Sequence, residues 1–162
     1  MPKAVKLAAN LKKVTNIKIT AYDLDGNIKD VTHIKNLITK VGLNMIRDAL
    51  HAVGDVADCE IKYVELGTGN TAPALTDVAL DAYFFRKIMT STDKPADYQT
   101  SCTVYISPTE GVAALEEIGW WAGTDCAAGE ATGILYSRVL YPRNKTALES
   151  LQIERTDTIT EG

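Results

Sequence analysis

Apolar and polar positions alternate with a period of two through most of the chain and switch to a helical period once. Ile17, Ile19 and Ala21 alternate with Lys18, Thr20 and Tyr22, the pattern of a strand with one face buried. Asp25-Gly26 supplies the positive φ angles of a tight turn, and residues 28–31 run back as the second arm of a hairpin. The period then changes. Ile38, Val41, Gly42, Met45, Ile46, Ala49, Leu50 and Val53 share one face at 3.6 spacing, with Lys40, Asn44, Arg47, Asp48 and His51 on the other. This predicts one packed α-helix over about residues 39–53, capped by Thr39 or Asn36 and ended by Gly54. His51 falls on its polar face, where it is solvated rather than catalytic.

Residues 61–87 read as a strand, a long glycine-containing excursion and an aromatic return. Ile61, Tyr63 and Glu65 alternate with Lys62, Val64 and Leu66. Gly67 and Gly69 permit backbone angles that a Cβ would forbid, and Pro73 blocks an immediate return to a ladder. Thr76-Asp77 can cap a short helical turn before Leu80, and Tyr83-Phe84-Phe85 is expected to be buried. Beyond it, Cys102, Val104 and Ile106 alternate with Ser101, Thr103 and Tyr105 until Pro108 and Gly111 interrupt. Residues 113–121 set an acidic pair beside Trp120-Trp121. Residues 134–141 have so few polar positions that both faces are expected to be covered, residues 142–145 turn, and 148–159 form the last strand. Five or more strands separated by turn signals predict a mainly β domain, an antiparallel β-sandwich or barrel-like fold with one helix.

Composition narrows the class. With 162 residues, 46% apolar and 23% charged, the chain suits one soluble domain over residues 15–162, preceded by a basic arm over 1–14. No apolar run reaches the ~18 residues of a membrane span, and no secretory leader is expected. Cys59, Cys102 and Cys126 lie far apart without a CxxC pair, as reduced structural thiols do, although an odd count leaves room for one intermolecular disulfide. The net charge of −4 is unevenly spread. Lys3, Lys6, Lys12 and Lys13 fall in a stretch with no acid, and without them 13 basic face 21 acidic side chains, a charge of −8. A basic arm on an acidic body suits docking onto an acidic protein surface and disfavours nucleic acid.

Two short motifs invite enzyme readings. Residues 22–27 (YDLDGN) are similar to the DxDGT motif of haloacid-dehalogenase-type phosphatases, which makes Asp23 a candidate nucleophile and Asp25 a proton shuttle beside Mg²⁺. Asn27 stands where that motif has Thr, and the preceding strand alternates instead of running continuously apolar, so a hairpin turn is the simpler account. Residues 67–72 (GTGNTA) match the dinucleotide fingerprint formally, but Pro73 follows at once and no long helix opens there. No catalytic, cofactor or metal residue is assigned on this basis.

Several elements in order resemble a family of small tailed-bacteriophage virion proteins. They are Asn36-Leu37-Ile38-Thr39 with Gly42-Leu43, residues 63–73 (YVELGTGNTAP), Asp77 to Leu80, Arg86, Glu117-Ile118-Gly119, and Leu135-Tyr136-Ser137-Arg138 leading to Lys145. The resemblance spans roughly residues 36–155. It implies a non-enzymatic structural part of the particle without cofactors. A capsid decoration (cement) protein fits one compact domain lacking shaft repeats and heptads; a tail fibre or baseplate component is the alternative, and a Mg²⁺-dependent phosphatase using Asp23 and Asp25 a more distant one. The implied partners are the major capsid protein or tail and baseplate proteins, and further copies of the chain, with neither nucleic acid nor membrane. The implied location is the virion, after synthesis in the bacterial cytoplasm. Candidate partner-binding residues are Lys3, Lys6, Lys12 and Lys13 in the arm, Gly67, Thr68, Gly69 and Asn70 in the loop, and the Trp120-Trp121 pair.

Overall fold

A computed structural model describes residues 11–51 and 59–161. The chain forms β1 (Leu11–Tyr22), β2 (Ile28–Ile34), β3 (Leu37–Ile38), α1 (Lys40–His51), β4 (Ile61–Gly67), β5 (Tyr83–Ile88), β6 (Ser91–Asp93), β7 (Gln99–Ile106), β8 (Ala114–Ala122), β9 (Ile134–Asn144) and β10 (Ser150–Glu161). These strands make two five-stranded antiparallel sheets. Sheet A has the order β2-β1-β10-β7-β6 and sheet B the order β3-β9-β8-β4-β5. The result is a sandwich with open edges, not a closed barrel. The alternating apolar residues of β1, β7 and β10 (Ile17, Ile19, Val104, Ile106, Leu151, Ile153) meet Val64, Leu66, Leu115, Ile118, Trp120 and Val139 of sheet B in one core.

The first hairpin forms as its sequence predicts. Asp23 Oδ1 accepts the amides of Asp25 (3.0 Å) and Asn27 (2.8 Å), and Gly26 takes φ +83°. Those amides, Asn27's above all, hold the exposed Asp23 carboxyl below its ordinary pKa. Among the described residues every strand pair is antiparallel, so Asp23 and Asp25 sit in a hairpin turn and not at the end of a parallel strand.

Elsewhere the structure corrects details. Thr39 caps α1, its Oγ1 accepting the Gly42 amide at 3.1 Å, but the buried stripe is narrower than the periodicity implies. Met45 and Ile46 pack with Ile38, Ala122, Ile134 and Tyr136, whereas Ala49 and Leu50 face solvent. Val53 and Gly54 lie outside the described residues. Residues 74–81 form turns instead of a short helix, and Tyr83 and Phe84 are exposed because β5 is an edge strand. Strand β9 continues past Pro142 to Asn144; the proline falls where the β8–β9 register shifts, so no ladder donor is lost. Strand β1 begins at Leu11, so Lys12 and Lys13 are strand residues paired with β10 and not part of a free arm extending to residue 14. Lys3 and Lys6 lie outside the described residues.

Candidate functional site

Although its edge strand β5 keeps Tyr83, Phe84 and Ile88 exposed, the middle of sheet B is buried on both faces. Its inner face meets the core, and its outer face is covered by two long connections, residues 68–82 after β4 and 123–133 after β8. Beneath them Trp121, Leu135 and Cys126 form a small apolar cluster with Tyr63 and Ala79. The same face carries charged side chains: Glu65 on β4, Arg86 on β5, Glu117 on β8 and Arg138 on β9. Covering charges with irregular chain is costly unless each is paired and hydrogen-bonded. Here the pairing also fastens the loops.

Glu117, fully buried, is the larger fastening. Its Oε1 accepts the amides of Gly69 (3.2 Å) and Ala82 (2.8 Å), and its Oε2 accepts the Asp81 amide (3.1 Å) and Arg138 Nε (2.6 Å). Both ends of the 68–82 connection thus close on one carboxylate. Arg138 reaches its middle, donating to Asp77 Oδ2 (2.8 Å) and to the carbonyl and hydroxyl of Thr71 (3.1 Å each). Burial alone would lower the Arg138 pKa, but its bonds to Asp77 and Glu117 outweigh burial and raise it. Space around Glu117 explains two glycines. A Cβ on Gly67 would stand 2.5 Å from Glu117 Oε1, and one on Gly69 2.6 Å from the same atom. Neither glycine has positive φ, so they serve close approach here and not the turning freedom expected of them.

Glu65 and Arg86, opposite one another on β4 and β5, fasten the second connection. Arg86 donates to Glu65 Oε1 (2.6 Å) and the Thr132 carbonyl (2.9 Å), and its guanidinium lies over the rings of Tyr63 and Trp121. Glu65 Oε1 also accepts the Ala131 amide (3.0 Å), holding a residue whose φ is +50°. This fastening is less saturated than the first, because Glu65 Oε2, Arg86 Nε and Trp121 Nε1 are buried without a hydrogen-bond partner among the described residues.

The structure brings Gly67, Thr68, Gly69 and Asn70 onto this platform, with Thr68 and Asn70 exposed at its surface. Trp120 and Trp121 are each 1% exposed, which corrects their expected place on a partner surface. Trp120 belongs to the core between the sheets, and Trp121 supports the loops from below. Sequence reasoning missed the holding role of Glu65, Asp77, Arg86, Glu117 and Arg138. The available signal was charged residues inside otherwise apolar strands, next to connections longer than a hairpin needs.

Lys13 lies apart, at the base of a groove of about 1080 Å³ between α1 and the β7–β10 side of sheet A. It contacts the Tyr136 hydroxyl and pairs with Asp157, which Arg155 also binds; burial outweighs Asp157 and lowers the Lys13 pKa. Burial likewise pushes the neighbouring Cys102 thiol up to about 11, so it stays protonated. Comparison of the chain with protein-family models, with curated proteins and with solved structures found no match.

Proposed function

We propose that this chain is a non-enzymatic structural component of a tailed-bacteriophage particle, a capsid decoration protein that binds other virion proteins through its surface. The observation that supports this most is where the residues of the resemblance meet. Glu65, Gly67, Gly69, Asp77, Leu80, Arg86, Glu117, Gly119 and Arg138, scattered along the sequence, converge on the outer face of sheet B. There they hold two loops in place, and most of their side-chain polar atoms bond to loop backbone or to each other instead of facing an open cleft. A pre-ordered loop surface suits protein recognition, because less conformational entropy is lost on binding. The major capsid protein is the partner this reading favours. The test is to add labelled protein to particles of its phage that lack it and image them. Label distributed over the capsid supports decoration, label at the tail moves the protein to the tail or baseplate, and label on neither defeats the virion reading.

A further inference from the structure

The four edge strands of the sandwich are unequally guarded. Strand β3 has two residues and β6 three, too short to template another strand, and β6 ends on exposed Asp93. Strand β2 has seven residues but exposes Lys29, Asp30 and His33. Short length and outward charge are the usual defences of a sheet edge. Strand β5 has neither. It runs six residues, and among the described residues no strand is hydrogen-bonded to its outer side. Its exposed side chains are apolar: Tyr83, Phe84 and Ile88 are 37%, 44% and 57% exposed. Its two cations guard it less than the paired but well exposed Lys29 and Asp30 guard β2, since Arg86 is buried against Glu65 and Lys87, bound by Glu110, is only 26% exposed.

We propose that the outer edge of β5 pairs antiparallel with β5 of a second copy, joining two B sheets into one ten-stranded sheet across a two-fold axis. Such an axis stands perpendicular to the sheet, so outer-face residues of one copy must oppose outer-face residues of the other. The register centred on Arg86 satisfies this. Phe84, at the bulge where the β4–β5 pairing skips one residue, then lies opposite Ile88 of the second copy, and the contact occurs twice, covering these two exposed apolar side chains with cross-strand pairs. Arg86 meets its own copy at the axis, and charge decides whether that is tolerable. Each guanidinium already carries its Glu65 carboxylate, so the axis brings together two neutral pairs and not two bare cations. The proposal does not depend on the virion reading, because it rests on the edge alone.

Sedimentation of the full chain from micromolar to near-millimolar concentration tests it, with F84K/I88K as the disrupting variant and V78K, an exposed apolar position on the neighbouring loop, as the control. The wild type and V78K should show the same concentration-dependent dimer. F84K/I88K should keep the native circular dichroism and weaken association at least about a hundredfold, because it sets like charges against each other at both contacts. The double variant F84C/I88C should cross-link two copies on oxidation, while F84C alone and I88C alone should not, because each position faces the other across the axis. A wild type that stays monomeric throughout overturns the proposal, and so does association that F84K/I88K leaves unchanged. If F84K/I88K fails to fold, the cysteine pair decides: cross-linked dimer supports the β5 edge, and its absence overturns it.

Discussion

Lys18 and Glu154 face one another across β1 and β10, and Glu65 and Arg86 across β4 and β5. Both are in-register pairs of opposite charge on the outer face of a sheet, at 2.9 and 2.6 Å. Their surroundings differ. The side chains of the first pair are 44% and 33% exposed, and those of the second 1% and 0%. In sheet A the pair sits in water, where its attraction is screened and its net contribution is about 0–1 kcal/mol. In sheet B the loops have removed the water, so each ion depends on the other and on the loop amides and carbonyls around it. The same local chemistry is decoration on one sheet and a fastening on the other. Chain that lies elsewhere in the sequence makes the difference.

The largest expected effect comes from breaking a buried pair. Arg138→Ala should lower stability by about 3–5 kcal/mol, because it leaves the buried Glu117 and the partly buried Asp77 without their cation and releases the middle of the 68–82 connection. Chemical denaturation measures it. The helix sharpens the comparison between covered and open positions. Met45→Asp should cost about 3 kcal/mol or more, whereas Leu50→Asp, at a position 71% exposed, should change stability by no more than about 0.5 kcal/mol.

Acid should act next, at the far end of the sandwich. Glu149 bonds Arg143 on β9 and Lys29 on β2, tying the two sheets together. Arg143 first, and Lys29 after it, hold the Glu149 carboxyl down at about 2 against burial. Its folded pKa lies below its unfolded value of 4.5, so its contribution is present above pH 4.5 and lost as pH falls towards about 2. The melting temperature should drop through that window, and Glu149→Gln should flatten the drop. The smallest effect belongs to the exposed pair: Lys18→Ala should shift stability by about 1 kcal/mol or less in the same denaturation assay.

The difference between the sheets also governs what was legible in the sequence. Strand β1 has one face in the core and the other largely towards water, so its alternation and its hairpin turn could be read directly. The outer face of sheet B could not be read in that way. Glu65 and Glu117 occupy positions that alternation assigns to solvent, and they are buried because distant loops fold over them; only in β9, around Arg138, did the scarcity of polar positions predict cover on both faces. The helix was placed correctly, but its stripe was read too wide, since Ala49 and Leu50 keep the period yet face solvent. The tryptophan pair pointed to a binding patch, yet both rings are interior. The glycines at 67 and 69 were recognised as special, but their physical reason lies in a glutamate about fifty residues away, which spacing does not reveal.

Amide hydrogen exchange at four residues tests the fastening of the loops most directly. Gly69, Asp81 and Ala82 donate to Glu117, and Ala131 donates to Glu65. Asp81 and Ala131 are exposed residues in irregular chain, positions where amides ordinarily exchange fast. If the carboxylates hold the loops, these amides should be protected nearly as well as the ladder of β8, and Glu117→Gln should weaken protection at Gly69, Asp81 and Ala82 while sparing Ala131. Exchange of all four at the rate of unstructured peptide, in a wild type whose sheets are protected, would contradict the central claim that sheet B fixes its own covering loops.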